Sequence, residues 1–154
     1  MTTTGPLIGF LSFDRLTAVQ RATVASTAQQ VRIEAGRPIF EEEQHAAGCW
    51  LIHAGQVQLS THVPGRGPVV VQTLGPGEQL GLSWLVSPYR WDFTATAVEP
   101  TTATKLDTDR LRQLAADDPA LGYLLVVALF GELLSRLQNT RARLLQLYRS
   151  PREQ

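Results

Sequence analysis

The chain has 154 residues, 44% of them hydrophobic and 18% charged, which suits one packed domain and excludes a disordered chain. Its 14 Lys and Arg residues balance 14 Asp and Glu residues, so it lacks the basic excess typical of proteins that coat nucleic acid. A single cysteine, Cys49, is typical of a reducing cytosol. The longest apolar run, 121–130, is too short to span a membrane. We therefore expect one cytoplasmic domain over residues 1–154, with no membrane or nucleic-acid partner.

The N-terminal segment 10–30 has the periodicity of a helix. Apolar residues recur there at three- and four-residue steps from Phe10 to Ala28. Ser12 or Asp14 is a suitable N-cap, and the turn residues 36–38 mark the latest possible end of the helix.

Residues 31–106 contain short β-type runs separated by turn residues. The turns include Pro-Gly-Arg-Gly-Pro at 64–68, Gly-Pro-Gly at 75–77 and Glu-Pro at 99–100. Six to eight short strands at close spacing predict an antiparallel barrel or jelly roll. The fold class is therefore mainly β with flanking helices.

Residues 107–148 become helical again. A short helix is predicted over 108–116, and Asp118 followed by Pro119 is typical of the start of a second, long helix that ends near Tyr148. Its apolar stripe comprises Leu121, Leu125, Ala128, Leu129, Leu133, Leu137, Leu144 and Leu147. At 1.5 Å per residue the helix is roughly 45 Å long, more than one barrel can cover. The stripe either packs on its own barrel or, as we favour, forms the seam of a parallel homodimer through the 119–148 helix.

Several local motifs occur in a consistent order. They are Gly-x-Pro-Ile-Phe-x-Glu at 36–42, Trp-Leu-Ile-x-x-Gly-x-Val-x-Leu at 50–59, Leu-x-Pro-Gly-Glu-x-Leu-Gly at 74–81, and Arg-Leu-Gln-x-Thr at 136–140. Together they resemble the cyclic-nucleotide-binding domain of the catabolite-activator and fumarate-nitrate regulator superfamily. The resemblance covers about 10–148 and implies an antiparallel β-roll (a double-stranded β-helix of jelly-roll type) with an N-terminal helix and a long C-terminal dimerisation helix. Glu43 replaces a glycine that is usual in the family's turn.

The resemblance also implies a ligand site after Leu74. In cyclic-nucleotide binders a short helix presents its N-terminal amides to the cyclic phosphate, a Glu binds the ribose 2′-hydroxyl, and an Arg pairs with the phosphate. Here Leu82 stands at the position of the ribose Glu and Trp91 at that of the phosphate Arg, while Glu78 belongs to the preceding turn. Losing a charge-assisted contact costs roughly 1.5–3 kcal/mol, so two losses weaken binding by about 100-fold or more. We therefore do not expect tight binding of cyclic AMP.

The candidate ligand-binding residues are Gly81, Leu82, Ser83, Trp84, Arg90, Trp91 and Thr140. Arg90 is close to the expected phosphate position, with an ion pair to Asp92 or Glu78 as the alternative. Trp84, Tyr89 and Trp91 could stack on a planar ligand, or the last two could pack over the open end of the barrel. The resemblance places the Thr140 hydroxyl at a purine edge, although an ordinary threonine beside the helix seam is equally compatible.

Catalytic chemistry has little support in the residues. The three histidines His45, His53 and His62 are at least eight positions apart, which does not match the clustered ligands of metal cupins. Cys49 adjoins Trp50 in a strand and is interpreted as a core residue. We expect no metal, no catalytic residue and no cofactor other than a possible cyclic nucleotide. Family members that regulate transcription continue into a helix-turn-helix domain, which we do not expect in a chain ending at Gln154.

The resulting hypothesis is a non-catalytic regulatory or sensor module. It would bind cyclic nucleotide weakly, or a different small phosphorylated ligand, and signal through its dimer helix, with a partner protein as a further possibility. The alternative is an interaction or scaffold protein with an empty, vestigial pocket.

Overall fold

A computed structural model describes residues 15–149. In these residues a short helix precedes eight strands and two further helices. The elements are α1 (Ala18–Ala25), β1 (Ala28–Ile33), β2 (Pro38–Phe40), β3 (Gly48–Ala54), β4 (Val57–Val63), β5 (Gly67–Leu74), β6 (Gln79–Leu80), β7 (Thr94–Ala97), β8 (Thr101–Asp107), α2 (Thr108–Asp117) and α3 (Pro119–Arg149).

The strands form two four-stranded antiparallel sheets. One has the order β1-β8-β3-β6 and the other β2-β7-β4-β5, so neighbouring strands are often distant in sequence. In the first sheet Cys49 lies opposite Leu106, and in the second Val57 lies opposite Leu74. All four side chains are buried, so they help to fill the core of the roll. The predicted β-roll with an N-terminal helix and a long C-terminal helix is confirmed.

The N-terminal helix is shorter than predicted. Thr17 caps α1, and Thr17 and Gln20 exchange side-chain-to-backbone hydrogen bonds in a capping box. The helix ends at Ala25 because the chain from Ala28 pairs with β8, and this pairing replaces helical hydrogen bonds. The predicted start at Phe10 and the predicted caps Ser12 and Asp14 lie outside the described residues.

Caps define the two C-terminal helices as the sequence indicates. The Asp107 carboxylate accepts a hydrogen bond from the Arg110 amide at 3.2 Å and caps α2. At the start of α3, the Asp118 carboxylate accepts one from the Leu121 amide at 3.3 Å, with Pro119 at the first helical position.

The apolar residues of α3 have two different environments. Leu121, Leu125 and Ala128 are buried against their own domain, so these members of the predicted stripe do not belong to an exposed seam. A second set faces solvent at steps of three and four residues. It comprises Tyr123, Val126, Phe130, Leu133, Leu137, Leu144 and Leu147, with Thr140 completing the pattern. Hereafter this set, Thr140 included, is called the exposed seam.

Helix α3 also meets a length and composition test for crossing a membrane, the one helix of residues 15–149 to do so. The run considered in the sequence, 121–130, was too short, but the whole helix has 31 residues. Only 17% of its most apolar 18-residue stretch is buried. Most of this stretch is therefore apolar surface that residues 15–149 of one copy do not cover.

Candidate functional site

A cavity of about 360 Å³ lies where the second sheet, the segment 80–93 and α3 meet. Its lining residues come from β2, β4, β5, β6, this segment and the middle of α3. They are Phe40, Leu59, Gln72, Leu80, Gly81, Leu82, Ser83, Val86, Ser87, Pro88, Arg90, Trp91, Asp92, Phe93, Leu133 and Arg136. Its volume falls in the range of about 300–1,000 Å³ that is usual for small-molecule sites.

Five of the seven predicted site residues line this cavity, namely Gly81, Leu82, Ser83, Arg90 and Trp91. Trp84 is only 2% exposed and packs in the core outside the lining. Thr140 lies one helical turn beyond Arg136, and its hydroxyl donates to the Arg136 carbonyl at 2.8 Å. It is exposed and does not line the cavity.

The floor of the cavity is aromatic and buried. The Trp91 ring stacks on the Phe40 ring with centroids 3.8 Å apart and an interplanar angle of 12°. Trp50 completes the cluster at 5.5 Å from Phe40 and 6.0 Å from Trp91. At the position where the family resemblance places a phosphate-binding Arg, the chain therefore has an indole that packs in the core.

The backbone of the cavity segment departs from the family's phosphate-binding helix. Residues 81–84, all described, form an irregular turn instead of the short helix that the resemblance implies. Gly81 has φ +99°, and a Cβ there would lie 3.0 Å from the Trp91 ring and 3.1 Å from the Gly48 carbonyl oxygen. Close packing against Trp91 thus requires glycine at this position.

Two oppositely charged side chains lie at the mouth of the cavity. Arg90 and Asp92 are exposed lining residues on either side of the buried Trp91. Within residues 15–149 neither forms an ion pair or a side-chain hydrogen bond. The predicted alternative of an Arg90 ion pair with Asp92 or Glu78 is not formed, and the Glu78 carboxylate accepts the Gly75 amide instead at 2.9 Å.

Arg136 lines the cavity from α3 and was not among the predicted site residues. Its guanidinium donates to the Gln79 carbonyl in β6, and its Nε donates to the Glu132 carboxylate at 3.2 Å. The side chain is 17% exposed. It joins α3 directly to the strand that leads into the cavity. The motif Arg-Leu-Gln-x-Thr at 136–140 includes this arginine, but only its threonine was predicted to be a site residue.

A charged cluster supports the mouth from α2. Asp109 accepts from His45 at 2.9 Å and also from Arg112, whose guanidinium lies 4.3 Å from the centre of the Tyr89 ring. Desolvation raises the pKa of Asp109, but hydrogen bonds and charges of His45 and Arg112 outweigh it, and the pKa falls below its ordinary value of 3.8. Tyr89 itself has φ +59°, which is unusual for a bulky residue.

The described residues contain no group of three or more His, Cys, Asp or Glu side chains that could hold a metal ion. Cys49 is buried in β3, and desolvation raises the pKa of its thiol to about 12. The thiolate form that a nucleophile requires is therefore scarce at neutral pH. This supports the interpretation of Cys49 as a core residue.

A β-roll whose cavity is lined in part by a long C-terminal helix is an architecture that can hold a small ligand. The chain belongs to the cyclic nucleotide-binding domain family, whose sequence model matches residues 30–118. A search of curated protein sequences finds no match.

Solved structures with the same fold include stand-alone domains and parts of longer chains. A candidate cyclic nucleotide-binding protein from Geobacter metallireducens has a TM-score of 0.78 and 27% identity, over 89% of this chain and 99% of its own. A cyclic nucleotide-binding domain from Methylobacillus flagellatus has a TM-score of 0.78 and 19% identity, over 94% of this chain and 85% of its own. The catabolite activator protein of Thermus thermophilus has a TM-score of 0.65 and 25% identity, over 89% of this chain and 62% of its own. The likeness at 19% identity shows the fold alone.

Proposed function

We propose that this chain is a cytoplasmic, non-catalytic regulatory module that forms a homodimer through α3 and binds a small ligand in the cavity. One observation carries the proposal. The cavity wall includes Leu133 and Arg136 of α3, and Leu133 also belongs to the exposed seam. A ligand that contacts this wall can change the packing of the dimer helix, which is a population shift between two arrangements. A partner protein would detect that change.

The exposed seam supports dimerisation. Its members, from Tyr123 to Leu147, are spaced alternately three and four residues apart, which is the heptad pattern of a coiled coil. The Phe130, Leu133 and Leu137 side chains are 64%, 56% and 46% exposed, so they would lose considerable contact with water on pairing. A second copy covers a stripe with this spacing better than lipid does, because Arg136, Arg141 and Arg143 lie on the same helix.

Oligomeric state tests this part of the proposal. We expect light scattering to give twice the mass of one chain, and Leu137→Glu to give a monomer because it buries a charge in the seam. Val71→Glu is the matched control, since Val71 is 43% exposed but lies on β5. A wild-type monomer, or a dimer that both variants leave intact, would contradict dimerisation through α3.

For the ligand, we propose that cyclic nucleotides bind weakly. Leu82 cannot accept a hydrogen bond from a ribose hydroxyl, and Trp91 has no charge for a phosphate. Calorimetric titration with cyclic AMP and cyclic GMP is expected to give dissociation constants near or above about 1 mM, a binding free energy of about −4 kcal/mol or weaker. Micromolar binding of either nucleotide would contradict this proposal.

A different phosphorylated ligand stays a prediction based on Arg90. The structure adds Asp92 to the same mouth, and this carboxylate repels a phosphate group, which counts against that class of ligand. A thermal-shift screen of phosphorylated metabolites, repeated on Arg90→Ala, tests it. A protein that dimerises but binds no small molecule would instead be an interaction scaffold with an empty pocket.

A further inference from the structure

The cavity has an apolar floor, whereas its exposed lining combines apolar side chains such as Val86 and Leu133 with the charged Arg90 and Asp92. Phe40, Leu59, Leu80 and Trp91 are each less than 9% exposed and form the floor. Phe93 at the rim is 39% exposed. The polar lining residues are Gln72, Ser83, Ser87, Arg90, Asp92 and Arg136. A complementary ligand therefore has an apolar body and a polar head.

The charges of the lining constrain that polar head. Arg136 already binds the Gln79 carbonyl and the Glu132 carboxylate, so its charge is compensated. Arg90 and Asp92 are not compensated by any group within residues 15–149, nor by each other, although only Trp91 separates them in sequence. An anion on Arg90 alone would leave Asp92 as a nearby like charge, and a cation on Asp92 would meet Arg90 in the same way. A head with one charge of each sign satisfies both.

We propose that this cavity binds a free α-amino acid with a large apolar side chain. The α-carboxylate pairs with Arg90, the α-ammonium pairs with Asp92, and the side chain contacts the aromatic floor. The two charges of an α-amino acid share one carbon, which suits two opposite charges at one mouth. This inference rests on the proposed function only in using the same cavity as the ligand site.

Three probes of one shape test the inference on the full chain. They are L-phenylalanine, 3-phenylpropanoate, which lacks the ammonium group, and 2-phenylethylamine, which lacks the carboxylate. Calorimetry is expected to show L-phenylalanine binding about fivefold to tenfold more tightly than either analogue, because each analogue loses one charged contact and leaves one like charge nearby. Equal affinity of 3-phenylpropanoate would overturn the inference in favour of a simple anion site. L-Leucine, a fourth probe with an aliphatic side chain, tests the amino-acid class, and absence of binding by both L-phenylalanine and L-leucine at about 10 mM would also overturn the inference.

Charge-removing variants identify which group binds which end. Asp92→Asn is expected to weaken the binding of L-phenylalanine by about fivefold and to leave the affinity for 3-phenylpropanoate unchanged or higher. Arg90→Gln is expected to weaken the binding of L-phenylalanine by a similar factor and to leave the affinity for 2-phenylethylamine unchanged or higher. The matched controls are Glu99→Gln and Arg66→Gln, which remove the same charges outside the cavity lining. If a control weakens L-phenylalanine as much as its partner variant, the inference is wrong.

The failure of this inference is distinguishable from failure of the proposed function. Binding of another small molecule, without binding of either amino acid, would reject the amino-acid class and leave the regulatory module standing. The dimer is measured independently, by the mass of the wild type and of Leu137→Glu.

Discussion

The β-roll and the helix α3 differ in what covers their apolar side chains. In the roll, Val57, Leu74 and Leu106 are fully buried by other residues of the same chain. In α3, Leu121 and Leu125 are equally buried, but one to three turns later Phe130 and Leu137 are about half exposed or more. One continuous helix thus begins as part of a domain core and continues as a face that no other part of residues 15–149 covers.

This difference determines how the stability of each region should depend on protein concentration. The roll has its core within one chain, so its stability should not depend on protein concentration. If a second copy covers the exposed seam, as proposed, the contribution of the seam to stability depends on protein concentration. Leu133 and Arg136 connect the two regions, because both line the cavity of the roll from α3.

The largest expected effect is on the roll. Trp91→Ala removes a buried indole that stacks on Phe40, and we expect a loss of about 3–5 kcal/mol in the free energy of unfolding. Urea denaturation measures it, and the loss should be the same at low and high protein concentration. Trp91→Phe keeps an aromatic ring and should lose clearly less. A loss that grows on dilution would show that the roll also depends on the dimer.

Local features of the sequence predicted the fold well. Turn residues, strand spacing and the helix cap at Asp118 with Pro119 are local signals, and they also allowed the segment with Trp91 to be aligned with the family's pattern. Contacts between distant segments left no such signal. The guanidinium of Arg136 reaches a carbonyl 57 residues earlier, and the motif at 136–140 includes this arginine without indicating which carbonyl it contacts.

Burial was unpredictable for a similar reason. The apolar residues of α3 have helical spacing, but only tertiary packing decides that Leu125 faces the domain and Leu137 faces solvent. The pairing of β1 with β8 likewise ended α1 earlier than its periodicity indicated. Asp92 was considered only as an ion-pair partner of Arg90, because its place at the cavity mouth depends on the fold of the whole segment.

The next largest effect is expected on the proposed dimer. Thr140 is a polar residue at a seam position, and such residues fix the register of a coiled coil at a cost in stability. We expect Thr140→Leu to lower the dimer dissociation constant by about tenfold or more, because each copy buries an additional apolar side chain. Sedimentation velocity over a dilution series measures it. Gln138→Leu adds the same side chain off the seam, and an equal effect of both variants would contradict the heptad assignment.

A smaller effect is expected in the roll, where a substitution at Glu43 should stabilise the fold, in contrast to Trp91→Ala. Glu43 has φ +74°, a left-handed conformation that is unfavourable for residues with a Cβ. The family's usual glycine adopts it freely. We expect Glu43→Gly to raise the free energy of unfolding by about 0.5–1 kcal/mol, since the relief of strain exceeds the entropy cost of glycine. Glu41→Gly, in the same loop, should give no gain. Stabilisation by both variants would show that loop flexibility, not backbone strain, is responsible.

The smallest effect concerns Asp109, which connects α2 to the roll through His45 and pairs with Arg112 of its own helix. Its pKa is lower in the folded protein than its ordinary value of 3.8, so its contribution to stability is complete above that value and is lost as the pH falls below it. The side chain is 43% exposed, so the contribution is less than about 1 kcal/mol.

Between pH 5 and pH 3, at roughly one unit either side of the ordinary value, wild type should lose more stability than Asp109→Asn. Asp117→Asn removes the same charge from the end of α2 and should keep the wild-type slope. Parallel pH profiles for wild type and Asp109→Asn would mean that α2 is held to the roll by apolar contacts such as those of Leu111 and not by this carboxylate.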